Sequence, residues 1–157
     1  REVDRACGGP VVSCADILAV AARDSVVALG GPTWEVRLGR RDSATASRQK
    51  ADTDIPSPFM DLPALVKSFR KQGLDDRDLV ALTGAHSVGF AQCQFYRGRI
   101  YNTSGDVIDP TFARSRQATC PRNGGDRFLA SLDSSAAKFD AQYFSNLVKR
   151  SGLLGSD

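Results

Sequence analysis

The stretch Asp78-Leu-Val-Ala-Leu-Thr-Gly-Ala-His86-Ser87-Val-Gly89-Phe-Ala-Gln92-Cys93 carries an apolar helical run into the only histidine of the 157-residue chain. Small residues flank that imidazole, so a large flat group can come close to the backbone there. A buried histidine with a purely structural role satisfies the same pattern, because metal ligation needs further partners. Gly84 and Gly89 stand like the outer glycines of a phosphate loop, yet Phe90-Ala91 occupies the place of the Lys-Ser/Thr that such a loop requires. No G-x-S-x-G elbow is present, which removes the basis for a Ser-His-Asp hydrolase built on Ser87.

Outward from this window, Asp75 predicts the cap of the helix that runs through Leu79, Val80 and Leu82 to Gly84, with Leu74 placed to staple against Leu79. Asp61 predicts a second cap, with Pro63 in the first turn, Leu62, Leu65, Val66 and Phe69 facing inward, and Gly73 as the stop. From Gly39 to Met60 the chain is polar and broken by Pro56 and Pro58, which predicts a long loop, functional or disordered. Nearer the start, Ser13 with Asp16 begins a helix whose stripe of Ile17, Leu18, Ala21, Val26 and Leu29 stops at Gly30-Gly31-Pro32. Trp34, Val36 and Leu38 alternate with Glu35 and Arg37 and predict one short strand or extended segment. Downstream, Ala91 to Tyr101 reads as helix, Asp109-Pro110 as a cap followed by proline at the first helical position, and Asp140 as the cap of a stretch holding Tyr143, Phe144, Leu147 and Val148. The sum is a mainly α chain with at most a very short β element.

Composition narrows the function classes. With 41% hydrophobic and 25% charged residues the chain can bury one sizeable core, which excludes a disordered tail or a collagen-like repeat. A net charge of +3, with adjacent basic pairs only at Arg40-Arg41, Arg70-Lys71 and Lys149-Arg150, excludes a nucleic-acid partner. The apolar run Ile17 to Ala22 is far short of the roughly 20 residues that a membrane-spanning helix needs. The chain opens on Arg1-Glu2-Val3-Asp4, so a targeting signal is expected to have been removed or to lie outside this piece. Four cysteines, Cys7, Cys14, Cys93 and Cys120, are consistent with free thiols or two bridges, and no C-x-x-C pair points to zinc.

Four motifs then carry a resemblance. Ser13-Cys-Ala-Asp-Ile-Leu-Ala19 with Ala22-Arg23-Asp24, Leu38-Gly-Arg-Arg-Asp42, the His86 window and Gly152-Leu-Leu-Gly-Ser-Asp157 resemble, in that order, the plant secretory (class III) haem peroxidases. The resemblance covers essentially the whole chain and only the middle and proximal part of such an enzyme. It implies a partial haem-peroxidase fold, with 1–30 as the end of the distal helical domain and 31–157 as the proximal helical domain, truncated before its C-terminal helices. The distal histidine and arginine that split peroxide are expected upstream of Arg1, not in this chain. By the same resemblance His86 is the axial haem iron ligand and Asp157 the carboxylate that accepts its other N–H and tunes it. Gln92 matches the position that bonds a haem propionate, and Pro56 and Phe95 match positions at the exposed haem edge where small phenols dock.

The resemblance also implies a proximal calcium site of Ser87, Asp133, Ser135, the Lys138 carbonyl and Asp140, hard oxygen donors that tie the loop after the iron ligand to a distant loop. Two details depart from the family pattern: the stretch from Asp133 to Asp140 is one residue shorter than usual, and Ser135 stands where threonine is common. Cys93 and Cys120 match a bridged pair, whereas Cys7 and Cys14 match positions whose partners lie elsewhere and are expected not to bond each other. The spacing from Cys7 to Cys14 is one residue longer than the commonest. Asn102-Thr103-Ser104 is a glycosylation sequon. Together these features imply a secreted enzyme, extracellular or vacuolar and monomeric when complete. It would use haem b and calcium to oxidise small phenolic donors with hydrogen peroxide by one-electron steps. The alternative is a non-catalytic, calcium-stabilised helical fragment lacking the distal site, and this chain alone is expected to be inactive.

Overall fold

The computed structural model describes every residue except Arg1, Cys7, Pro10, Ser104 and Asp106, and the side chain of Asp4. The expected absence of a Cys7–Cys14 bond and the last residue of the Asn102 sequon therefore lie outside the described residues. The chain divides into two compact units, 1–48 and 49–157.

In the first unit, α1 (Glu2–Ala6) precedes α2 (Cys14–Ala28). The predicted cap forms, with the Ser13 hydroxyl accepting from the Asp16 N–H at 3.1 Å. A second device closes the same helix end: the two Asp42 oxygens accept from the Cys14 and Ala15 N–H groups, each at 2.9 Å. A carboxylate placed there satisfies orphan donors and meets the positive end of the helix dipole. These two N–H groups hold Asp42 ionised below the usual carboxylate range. Asp16 completes the fold-back, accepting from the Gly39 N–H at 2.7 Å, the Arg40 N–H at 3.2 Å and the Arg40 guanidinium at 3.1 Å. The Gly39 bond, followed by those of Arg40, outweighs partial burial and lowers the Asp16 pKa. These bonds tie the segment from Gly39 to Asp42 back onto the start of α2 within the first unit.

The hydrogen bonds from Gly39 and Arg40 go to a side chain, and Trp34, Val36 and Leu38 form no strand. Only the extended-segment form of that expectation holds. The predicted stripe of α2 is also not uniformly buried. Ile17 and Leu18 are exposed, and the buried residue of this helix is Asp16.

The expected loop from Gly39 to Met60 contains a helix, α3 (Arg48–Asp54), which has no buried residue and so left no apolar period to read. Lys71 Nζ to Asp54 Oδ1, at 2.5 Å, ties its end to α4 (Leu62–Lys71). Asp61 caps α4 through the Ala64 N–H at 2.9 Å, and Leu65 is buried while Leu62 is exposed. In α5 (Asp76–Thr83), Asp75 accepts from the Arg77 and Asp78 N–H groups while Asp78 accepts from the Asp75 N–H, a reciprocal capping box. A 3-10 turn, Gly84–Ser87, then carries His86.

The short β element forms from segments with no strand signal of their own. β1 (Phe90–Gln92) pairs antiparallel with β2 (Leu129–Ser131), with Phe90 opposite Ser131 and Gln92 opposite Leu129. The helix expected from Ala91 therefore starts later, as α6 (Cys93–Ile100). In α7 (Pro110–Gln117), Asp109 accepts from the Phe112 N–H at 2.7 Å as its sequence predicts. The core joins Cys93, Tyr96 and Ile100 of α6 to Ala113 of α7, Cys120, Ala130 of β2, Leu153 and Leu154. A disulfide links Cys93 and Cys120, with Cα atoms 5.4 Å apart. In α8 (Gln142–Val148) the cap position is Ala141, and Asp140 reaches in from one residue further out to accept from the Gln142 N–H at 2.8 Å. Among the described residues no helix is long and apolar enough to cross a membrane.

Candidate functional site

His86 sits where the ordered end of α5 gives way to β1, held by local structure on both sides. Its Nδ1 lies 2.7 Å from Asp157 Oδ1, across 71 residues of sequence. The Asp157 side chain is fully enclosed, whereas that of His86 is 31% exposed. A buried carboxylate needs donors on both oxygens. The Leu154 N–H reaches Asp157 Oδ2 at 2.9 Å, and the Tyr143 hydroxyl reaches Oδ1 at 3.2 Å. With Nδ1 committed to Asp157, Nε2 is the ring nitrogen left to a ligand. Tyr143 stands edge-on to the imidazole, centroids 5.9 Å apart. Burial and then the Asp157 charge push the Tyr143 phenol upward from its ordinary pKa, which keeps it protonated and able to donate.

The half-exposed imidazole borders two adjoining hollows. One, of about 310 Å³, is walled by Pro56, Leu65, Phe69, Leu79 and Leu82. The other, of about 270 Å³, is walled by Phe90, Gln92, Phe95 and Leu132, and both share Pro58 and Leu154. Gln92, Pro56 and Phe95 are thus all brought to the surroundings of His86. Phe95 is 36% exposed, and its ring centroid lies 6.0 Å from that of Phe59.

Four of the five residues of the second predicted constellation, Ser87, Asp133, Ser135 and Asp140, are linked by hydrogen bonds. Ser87 and Asp133 are buried; the Ser87 hydroxyl donates to the Gly84 carbonyl and lies 3.2 Å from the Asp140 carbonyl. Ser135 Oγ stands between Asp133 Oδ2 at 3.2 Å and Asp140 Oδ1 at 3.1 Å. Of Lys138, the backbone N–H donates to the Ser135 carbonyl at 2.7 Å. Among the described residues no three His, Cys, Asp or Glu side chains gather as a metal cluster. This group has two carboxylates, the other oxygens being hydroxyl and carbonyl, a donor set suited to a hard cation rather than a transition metal.

The match of the whole chain decides its kinship: the peroxidase family model covers residues 1–157. The chain belongs to the peroxidase family. It is 54% identical to a lignin-forming anionic peroxidase of Nicotiana sylvestris over 158 residues, 100% of this chain and 48% of that protein. It is 58% identical to peroxidase 22.3 of Oryza sativa subsp. japonica over 93% of this chain and 46% of the relative, and 53% identical to peroxidase 4 of Vitis vinifera over 99% and 49%. This peroxidase chain spans about half the length of those relatives. Its sequence pointed to His86 and Asp157 but not to the residues that hold them. Tyr143 read only as an apolar member of a helical stripe. Asn146, which donates to Asp133 Oδ1 at 2.5 Å, carries no signal beyond its spacing from Gln142, whose amide donates to it.

Proposed function

We propose that these residues form the proximal side of a haem-dependent peroxidase that uses hydrogen peroxide to oxidise small phenolic donors by one-electron steps. The observation that carries this reading is the enclosed Asp157 carboxylate on His86 Nδ1. A structural histidine needs no buried anion behind it, whereas an iron-ligating one gains ligand strength and a fixed tautomer from it.

Haem fits the residues present: a half-exposed imidazole with one nitrogen committed stands over apolar hollows rimmed by Leu82, Phe90 and Phe95. When bound, the haem iron supplies the redox chemistry with peroxide and donor. Within this reading His86 holds iron through Nε2, and Asp157 draws on the Nδ1 proton to make the imidazole a stronger donor. The Leu154 N–H and the core around Leu153 and Leu154 keep that carboxylate in place. Gln92 supplies an amide for a propionate, and Pro56 and Phe95 frame the docking edge for an aromatic donor. Peroxide cleavage needs an acid–base group, which the single histidine of these 157 residues cannot provide while bound to iron. On this reading the chain by itself is expected not to turn over.

Calcium is held by Ser87, Asp133, Ser135, the Lys138 carbonyl and Asp140. What supports this is that the Asp133 and Asp140 carboxylates approach one hydroxyl, that of Ser135. The whole enzyme is a secreted monomer, extracellular or vacuolar, and the oxidised Cys93–Cys120 pair suits such a compartment. Absorption spectroscopy of the complete protein tests the reading. An intense near-ultraviolet haem band and peroxide-dependent oxidation of a simple phenol are expected, and a protein that takes up no haem overturns it.

A further inference from the structure

We propose that Tyr143 is a positioning residue that moderates the pull of Asp157 on His86, a reading that rests on His86 as the iron ligand. Asp157 Oδ1 accepts from two donors at once, His86 Nδ1–H at 2.7 Å and the Tyr143 hydroxyl at 3.2 Å, while Oδ2 accepts from the Leu154 N–H at 2.9 Å. The side chain of Asp157 is sealed from solvent and Tyr143 is 1% exposed, so water does not substitute for either donor. Donors that share one oxygen divide its negative charge, and each weakens the bond of the other. The phenol therefore leaves the Nδ1 proton more firmly on the histidine than a two-donor carboxylate would.

Packing makes this contact a set distance rather than a chance one. The Tyr143 ring meets the His86 ring edge-on, with centroids 5.9 Å apart and planes at 88°, and the Phe144 ring packs against it at 5.2 Å. The phenol thus fixes both the charge on Oδ1 and the angle of the imidazole. Removing only the hydroxyl separates these roles, because Tyr143→Phe keeps the ring.

The experiment compares the complete haem-loaded protein with its Tyr143→Phe variant, using the ferrous iron–histidine stretching frequency in resonance Raman and the ferric/ferrous reduction potential. The expected result is a rise in frequency and a more negative potential, since an undivided carboxylate strengthens the imidazole as a ligand. Both shifts should vanish when the same change is made in an Asp157→Asn background, because they act through the carboxylate charge. An unmoved frequency in a correctly loaded variant, or a shift that persists in the Asp157→Asn background, overturns the proposal. Should Tyr143→Phe fail to fold, 2,3-difluorotyrosine installed at position 143 keeps shape and hydroxyl and donates more strongly. It should lower the frequency, and an unchanged or raised value overturns the proposal equally. Absence of any iron–histidine band in the unsubstituted protein would instead refute His86 as the ligand, a separate outcome.

Discussion

Replacing either member of the His86–Asp157 pair should produce a different defect. His86→Ala removes the ligating nitrogen, and the complete protein should no longer retain haem in gel filtration. Asp157→Asn leaves an oxygen to accept from Nδ1 and from Tyr143 but removes the charge. Haem should stay bound while peroxide turnover falls by about 10- to 100-fold, the usual range for a partner behind a metal ligand. Equal haem loss in both variants would contradict this division. Asp16 gives a pH prediction in the first unit. Its folded pKa lies below the ordinary carboxylate value because the Gly39 N–H, and then Arg40, stabilise the anion. The unfolded chain therefore takes up this proton first as pH falls. The stabilisation is complete above the ordinary carboxylate range and is lost as pH drops through the lowered folded value. Thermal melts across the acid range should show that slope, and Asp16→Asn should flatten it. The role of Asp16 was hidden in the sequence, where it read as part of a capping motif. Its partners, 23 and 24 residues away, follow no local rule.

Among the elements, α5 has the most influence on the site because its last turn runs into the 3-10 turn that holds His86. Asp75→Ala removes the acceptor for two N–H groups and breaks the reciprocal box, so it should cost about 0.5–2 kcal/mol in denaturant unfolding. A loss within error of zero would show that α5 is fixed by packing alone. Helix starts of this kind were legible because capping is written in one or two residues: Ser13, Asp61, Asp75 and Asp109 each accept the N–H groups expected of them. Other elements were illegible for reasons equally physical. A strand of three residues, such as Phe90–Gln92, holds too little sequence for a period of two to show. The polar helix α3 buries nothing, and Asp42 closes the start of α2 from 28 residues away. At the site, a motif could name His86, Asp157 and the oxygen donors, but Tyr143 and Asn146 reach their partners only through the placement of α8.

For the molecule as a whole, two long-range ties should show in stability. Asp133 and Asp140 approach a common hydroxyl, and like charges so placed repel when no cation stands between them. In complete protein first shown to contain calcium, chelation should lower the melting temperature. At a hundredfold excess of calcium over its Kd the loss corresponds to about 2.7 kcal/mol. An unchanged curve would remove calcium from the assignment. Reduction of Cys93–Cys120, whose separation is 27 residues, should cost roughly 3.5 kcal/mol in denaturant unfolding on the chain-entropy account, and a cost near zero would count against it. That covalent loop also lies wholly inside the 71-residue span between His86 and Asp157. For an unfolded chain, bringing those two residues together is a search whose entropy grows with the logarithm of the intervening length. The bond cuts across part of that span and eases the search by about 0.4 kcal/mol, roughly a twofold gain in the chance of encounter. Once oxidised, the cysteine pair thus acts even on a chain without native packing, as a shortcut that hastens the meeting of the imidazole with its carboxylate.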